Sequence, residues 1–269
     1  MKLYLSAIII LFSSSVFADI ARIHSITPTF IKFEDGRVGF LDELDNEVLN
    51  QLRPGNVLKI KLDSDNTLQE VAISARNESQ DSPFPTLTPE EYNPSVLPNY
   101  TYATNLLHTF RSPAINGAQC YDKAHVWTYE AEYYYRARLQ KAWLFFSDHY
   151  IERYRFKWWF HVAPFAKVMM RGSVEERIMD RVFYQYPLKL KLWTDLFMEN
   201  KVACKEVSSY NDYSQHPGED DCYVIRSTPY YWQPKDLEAL AERGREKNQY
   251  INSEISHAYR FGYGISLNQ

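Results

Sequence analysis

The chain sets a thiol at the start of a long uninterrupted segment. Asn116-Gly117 is a turn pair, Cys120 follows it, and no Gly or Pro occurs from Ala118 to Ala163. Within that segment Cys120, Ala124, Trp127, Ala131 and Tyr134 recur at helical spacing, which predicts a helix from Cys120 to about Leu139 with one buried face. A Cys in the first turn of a helix lies beside backbone N–H groups that have no intrahelical partner, at the positive end of the helix dipole. Both favour thiolate over thiol, and the thiolate is the nucleophilic form. Cys120 is therefore the candidate nucleophile, directed at a carbonyl or carboxamide carbon.

Lys2, the apolar run Leu3 to Phe12 and the small-x-small Val16-Phe17-Ala18 read as an export signal over residues 1–18, too short to span a bilayer. The mature chain is expected to start near Asp19 and to be periplasmic or secreted from a bacterium, with no membrane span after signal removal. Export governs the three cysteines, because two of them tend to pair in an oxidising compartment. Cys204 and Cys222 flank the turn-rich loop Lys205 to Asp221 and are the expected disulfide, leaving Cys120 free. A leftover Cys can equally be buried and inert. The net charge of -4 offers no basic footprint, so nucleic acid is not an expected partner. At 16 % of the chain, aromatic residues suffice both to fill a core and to line a cleft for an extended substrate.

The pattern divides the chain into an N-terminal module over 19–75, a linker over 76–99 and a larger domain over 100–269. In the module, Ile20 to Ile26, Thr29 to Phe33, Val38 to Leu41, Val57 to Leu62 and Leu68 to Ser74 are β-favouring runs separated by turn residues, with a short helix over Leu44 to Gln51. Five short strands in this length predict a small barrel-like or curled sheet, too small to be comfortably stable alone. The linker is polar, then rich in Pro. In the larger domain Leu106 to Phe110 reads as a short helix. Strand-like runs follow at Trp143 to Phe146, Phe156 to Met170 and Arg177 to Phe183, the last two joined by the turn Arg171-Gly172-Ser173. Leu188 to Asn200 and Lys235 to Ser256 read as helices. The expected class is α+β, with the Cys120 helix packed on an antiparallel sheet.

A nucleophilic Cys needs a base within hydrogen-bond reach and a third group to hold that base. His161 and Asp180 are the best candidates, on strands that one hairpin can bring together; Asp180 would then fix the tautomer of His161. Each has a structural alternative: His161 as a satisfied core histidine, Asp180 as a strand-end cap or a partner of Arg181. His125 lies five residues after Cys120, at the wrong helical angle to take its proton, and reads as structural. His108, His149 and His216 have no partner pattern. No His/Cys cluster has metal-ligand spacing, and no metal or cofactor is expected.

Gly117 to Ala124, then Trp158-x-Phe160-His161-Val162-Ala163, then Arg177-Ile178-x-Asp180, with Pro187 and Trp193 beyond, resemble the core motifs of the bacterial protein glutaminases. The resemblance covers roughly residues 100 to 200. It departs from the family at Arg181, where a Pro is common, and at Tyr121-Asp122-Lys123, where small residues and an Arg occur. The resemblance implies a papain- and transglutaminase-like fold and a Cys120-His161-Asp180 triad that deamidates Gln side chains of a protein or peptide through a thioester. The wider papain-like pattern adds the Gln119 side chain as an oxyanion donor. It also implies an N-terminal pro-region over the site, a part residues 19–75 could play, or they could remain as a fixed module. A transglutaminase or cysteine peptidase on the same triad, or a non-catalytic envelope module, are the alternatives.

Overall fold

The computed structural model describes residues 19–42, 44, 46–49, 52–75, 92–112, 118–214 and 220–266. Residues 1–18, read as an export signal, the Asn116-Gly117 pair, His216 and the expected linker up to residue 91 lie outside the described residues.

The five β-favouring runs of the module form β1 (Asp19–Ile26), β2 (Phe30–Phe33), β3 (Val38–Phe40), β4 (Val57–Leu62) and β5 (Leu68–Ala75). A single turn of helix, α1 (Asn46–Leu49), lies between β3 and β4, within the span the sequence predicts. The strands pair in the order β3-β2-β1-β4-β5, and the sheet curls so that its two edges touch at Phe40 and Thr67. Alternation along β4 turns Leu58 and Ile60 inward, onto Ile23, Ile31, Phe33 and Leu68.

Residues 92–99 do not act as linker. Tyr92 hydroxyl donates to the Leu139 carbonyl, Ser95 N–H to the Arg138 carbonyl, and β6 (Val96–Leu97) joins the main sheet. There follow α2 (Tyr100–Thr109), capped by Asn99, then α3 (Cys120–Tyr135), β7 (Gln140–Phe146), α4 (Asp148–Tyr154), β8 (Phe160–Met170) and β9 (Ser173–Ile178). The tight β8–β9 hairpin turns on Arg171 at φ 49° and Gly172 at φ 89°, the pair of positive angles a two-residue turn needs to match strand twist. The remainder comprises α5 (Leu190–Thr194), β10 (Lys205–Val207), α6 (Tyr210–Ser214), β11 (Cys222–Ser227), α7 (Pro234–Arg243) and α8 (Asn252–Tyr263).

The main sheet runs β10-β11-β7-β8-β6, with β9 also on β8. Its centre is antiparallel, but both edge pairings, β10 with β11 and β6 with β8, are parallel. The sheet is thus mixed where an antiparallel one was expected. Two expected helices also differ. Leu188 to Asn200 is helical only over α5. The span from Lys235 to Ser256 is two helices, because Gly244 takes φ 65° and ends α7 in a left-handed cap.

Helix α3 is buried on more than the one predicted face. Ala124, Trp127 and Ala131 are buried as expected, Tyr134 is exposed, and His125, Val126 and Glu130 are buried as well. It lies between β8 and α8, so two layers cover it. The module shares the main core: Phe30, Val38 and Phe40 pack in one cluster with Tyr121, Trp159 and Phe160. Burying an apolar side chain of this size stabilises by roughly 1.5–3 kcal/mol. Lys32 crosses the same boundary, ion-paired to Asp148, and donates to the Tyr213 hydroxyl at 3.0 Å.

Candidate active site

Cys120 is the first residue of α3 and half-buried. Gln119 precedes it in extended conformation, at φ -73° and ψ 153°. His161 is the second residue of β8, opposite Leu144 of β7, and is 4 % exposed. Packing of α3 on β8 brings helix start and strand start together, so that Cys120 and His161 face one cavity and Cys120 helps to raise the imidazole's pKa.

Asp180 is not on a strand. β9 ends at Ile178, and Asp180 opens a turn in which its carbonyl accepts from Phe183 and Tyr184 N–H and its Oδ1 from Val182 N–H at 3.3 Å. A strand would have alternated Asp180 away from its neighbours; the turn aims Oδ2 at His161 Nε2, 2.7 Å away. That bond occupies Nε2 and leaves Nδ1 as the other ring nitrogen. Oδ2 also accepts from Trp193 Nε1 at 2.9 Å, and Asp180 is 3 % exposed. Arg181, the structural alternative as partner, points to Gln185.

The electrostatics follow from this chain of contacts. Burial opposes a charged His161, but the Asp180 carboxylate, by charge and hydrogen bond, and Cys120 outweigh it and lift the imidazole to about 9. The site therefore favours a proton on His161 at neutral pH. Trp158, Phe183, Trp193 and Phe197 surround the His161 ring at 4.7 to 5.8 Å and fix its plane.

Trp193 has no role legible in the sequence beyond its place in the motif pattern; the structure makes it the second donor to Asp180. Its removal is measurable without any assay of activity. Trp193→Phe keeps most of the ring but costs a hydrogen bond to a buried carboxylate, so urea unfolding should show a loss of about 1.5–3 kcal/mol. A loss under about 0.5 kcal/mol, the usual range of neutral substitutions, would mean that the bond contributes nothing.

A cavity of about 250 Å³ opens on Cys120, His161 and Asp180. Lys123, Trp158 and Phe183 line it from the main domain, and Asp35, Gly36 and Arg37 from the β2–β3 turn of the module. That turn is held by backbone bonds on both sides: Trp159 N–H donates to the Gly36 carbonyl and Val38 N–H to the Lys157 carbonyl. Gly36 has φ +89°, and a Cβ there would stand 3.0 Å from the Phe160 ring, so both angle and space call for glycine.

The other candidates fall elsewhere. His125 is fully buried behind the helix, where Lys141 Nζ donates to its Nδ1 at 2.7 Å; burial and the Lys141 charge push its pKa well down. His108 Nε2 donates to the Gln185 carbonyl and His149 is exposed. Cys204 and Cys222 are bonded to each other and Cys120 is free. Among the described residues, no group of three or more His, Cys, Asp or Glu could hold a metal ion, and no helix is long and apolar enough to cross a membrane.

A thiol, an imidazole and a carboxylate in linked series, with the thiol at a helix start, form the arrangement a cysteine-nucleophile site requires. Residues 109–197, which carry all three, match the protein-family model described as glutaminase. Among solved structures the chain is similar to a pro-protein-glutaminase crystal structure, with 12 % identity, 91 % of this chain and 92 % of that chain covered, and a TM-score of 0.49. It is also similar to a crystal structure of protein-glutaminase (16 % identity, 63 % and 90 % covered, TM-score 0.38). The third is the protein-glutaminase of Chryseobacterium proteolyticum solved by NMR, with 15 % identity, 61 % and 85 % covered, and a TM-score of 0.37. No curated protein matches the chain.

Proposed function

We propose that this protein is an exported cysteine amidohydrolase that deamidates glutamine side chains in proteins or peptides. The reading is carried by the linked series Cys120, His161 and Asp180 inside the segment that matches the glutaminase family. In this reading the domain from residue 100 is papain- and transglutaminase-like, its Cys-bearing helix packed on the sheet, and the module is a small barrel.

His161 takes the Cys120 thiol proton, and the resulting thiolate attacks the side-chain carboxamide carbon of Gln. The oxyanion is stabilised by the Cys120 backbone N–H and the Gln119 side chain. His161 gives its proton to the departing nitrogen, and ammonia leaves a thioester. His161 then takes a proton from water, which attacks the thioester; Glu is released and the thiolate–imidazolium pair restored. Asp180 holds His161 throughout. The cavity of about 250 Å³ is below the roughly 300–1,000 Å³ of sites that enclose whole small ligands, and suits one side chain presented by a larger molecule.

The test is incubation of a Gln-containing protein with the full chain, followed by ammonia and mass measurement. Ammonia with Gln converted to Glu supports the reading; crosslinks indicate a transglutaminase, and backbone cleavage a peptidase. No ammonia and no change in mass would leave a non-catalytic module.

The module over 19–75 restricts the cleft in this reading, since its β2–β3 turn forms one wall. It should not leave when the linker is merely cut, because Phe30, Val38, Phe40 and Lys32 are set in the main domain. Acid should loosen it. His24 stacks on Trp159 at 4.4 Å and meets the Tyr210 hydroxyl at 3.3 Å; burial, then the Lys32 charge, lower its pKa from 6.5 to about 4. A depressed pKa contributes docking stability that is full above 6.5 and is lost as the pH falls towards 4. After linker cleavage the two pieces should co-elute at neutral pH and separate in that acid window, with faster alkylation of Cys120 on separation. Dissociation at neutral pH, or unchanged alkylation once apart, would refute this role.

A further inference from the structure

Asp122 is a carboxylate at the third position of α3, 1 % exposed, and nothing in the reaction above uses it. In a complete capping box the N-cap side chain bonds the N3 N–H while the N3 acid reaches back to the N-cap N–H. Only the acid's half is set up here: the Gln119 backbone N–H favours the ionised Asp122 carboxylate, while the Gln119 side chain makes no capping bond. The helix end is held, yet no N-cap oxygen is laid over the first-turn N–H groups beside Cys120.

The carboxylate is itself held from outside the helix. Trp232 Nε1 donates to Asp122 Oδ1 at 3.0 Å, and the Trp232 ring packs edge-on to Tyr121 at 6.0 Å. Helix α8 approaches at a glycine: a Cβ on Gly262 would stand 3.3 Å from the Asp122 Cβ. Trp232 and Gly262 both lie beyond residues 109–197, the segment matched by the family.

We propose that Asp122 is a positioning residue: pinned by Trp232, its carboxylate fixes the Gln119–Cys120 peptide from behind and makes the helical segment after β11 a working part of the site. Its effect on turnover rests on the deamidase reading; its effect on the thiol does not. The clamp is strongest when the carboxyl is ionised. Burial pushes that carboxyl up to about 7, against the pull of Trp232, of Lys123 on the same helix, of Lys141 on β7 and of the Gln119 N–H. Tyr121 and Tyr263, which also face it, are held protonated by burial, and Asp19, Asp35 and Arg37 of the module line the same cavity as Asp122. The clamp is thus ionised above about pH 7 and neutral below it.

The test follows Cys120 alkylation by iodoacetamide and ammonia release across the neutral range in wild type, Asp122→Asn and Trp232→Phe. Wild-type alkylation should carry an inflection near 7, which Asp122→Asn removes and Trp232→Phe moves upward by withdrawing a donor from the carboxylate. Turnover in Asp122→Asn should fall about 10-fold with KM unchanged, as expected for a small displacement of the reacting group. If Asp122→Asn does not fold, Trp232→Phe decides. Superimposable alkylation profiles in wild type and either folded variant would overturn the proposal. If wild type releases no ammonia but the inflection responds as described, the clamp stands and the deamidase reading fails.

Discussion

Cys120→Ala should abolish ammonia release from a Gln-containing protein, and His161→Ala should do the same. Removing the nucleophile or the base of such a triad costs on the order of 10⁶-fold in turnover. Cys120 is half-buried and its truncation removes only one sulfur from the edge of the core, so its variant should melt close to wild type and is the cleaner of the two. His161→Ala leaves Asp180 buried with Trp193 and the Val182 N–H as remaining donors, and some loss of stability should accompany the loss of activity. Circular dichroism separates the effects. Normal turnover in folded His161→Ala would place the base elsewhere.

Asp180→Asn should lower turnover by about 10⁴-fold while retaining the shape of the site, because the amide no longer holds the imidazole in the required tautomer and charge state. The variant should also alter the response to alkali. His161 is raised above its ordinary 6.5 to about 9, so its pairing contributes stability that is full below 6.5 and is lost as the pH rises through about 9. Thermal melts of wild type should therefore decline across that window, and those of Asp180→Asn should be flatter, with burial alone now acting on His161. Equal slopes in the two proteins would mean that Asp180 does not set the charge of His161.

Much of the site was legible because its local chemistry is local in sequence. The Asn-Gly turn followed by a Gly- and Pro-free segment announces a helix that starts at Cys120, and the strands of the module and the β8–β9 hairpin follow from period-two runs and turn residues. Arg177 to Phe183 reads as a strand because Ile178, Val182 and Phe183 favour β structure. What stops the strand at Ile178 is the Asp180 carboxylate bonding the Val182 N–H, a competition that propensity does not resolve. The single polar helix expected near the C-terminus is split by Gly244, whose left-handed cap reads in sequence as only a tolerated Gly.

The sequence by itself determined the identity and order of the thiol, imidazole and carboxylate, the helix start that carries the thiol, and the pair Cys204 and Cys222 as the expected bridge. Tertiary structure decided which ring nitrogen meets Asp180, that Trp193 shares the carboxylate, and that Trp232 reaches Asp122 two residues after Cys120. It also decided that Asp35, Gly36 and Arg37 of the module wall the cleft. The physical reason is range. Helix starts, turns and strand alternation are written within a few neighbouring residues, whereas Asp122 and Trp232 stand 110 positions apart and meet only because α3 is buried between a sheet and a later helix.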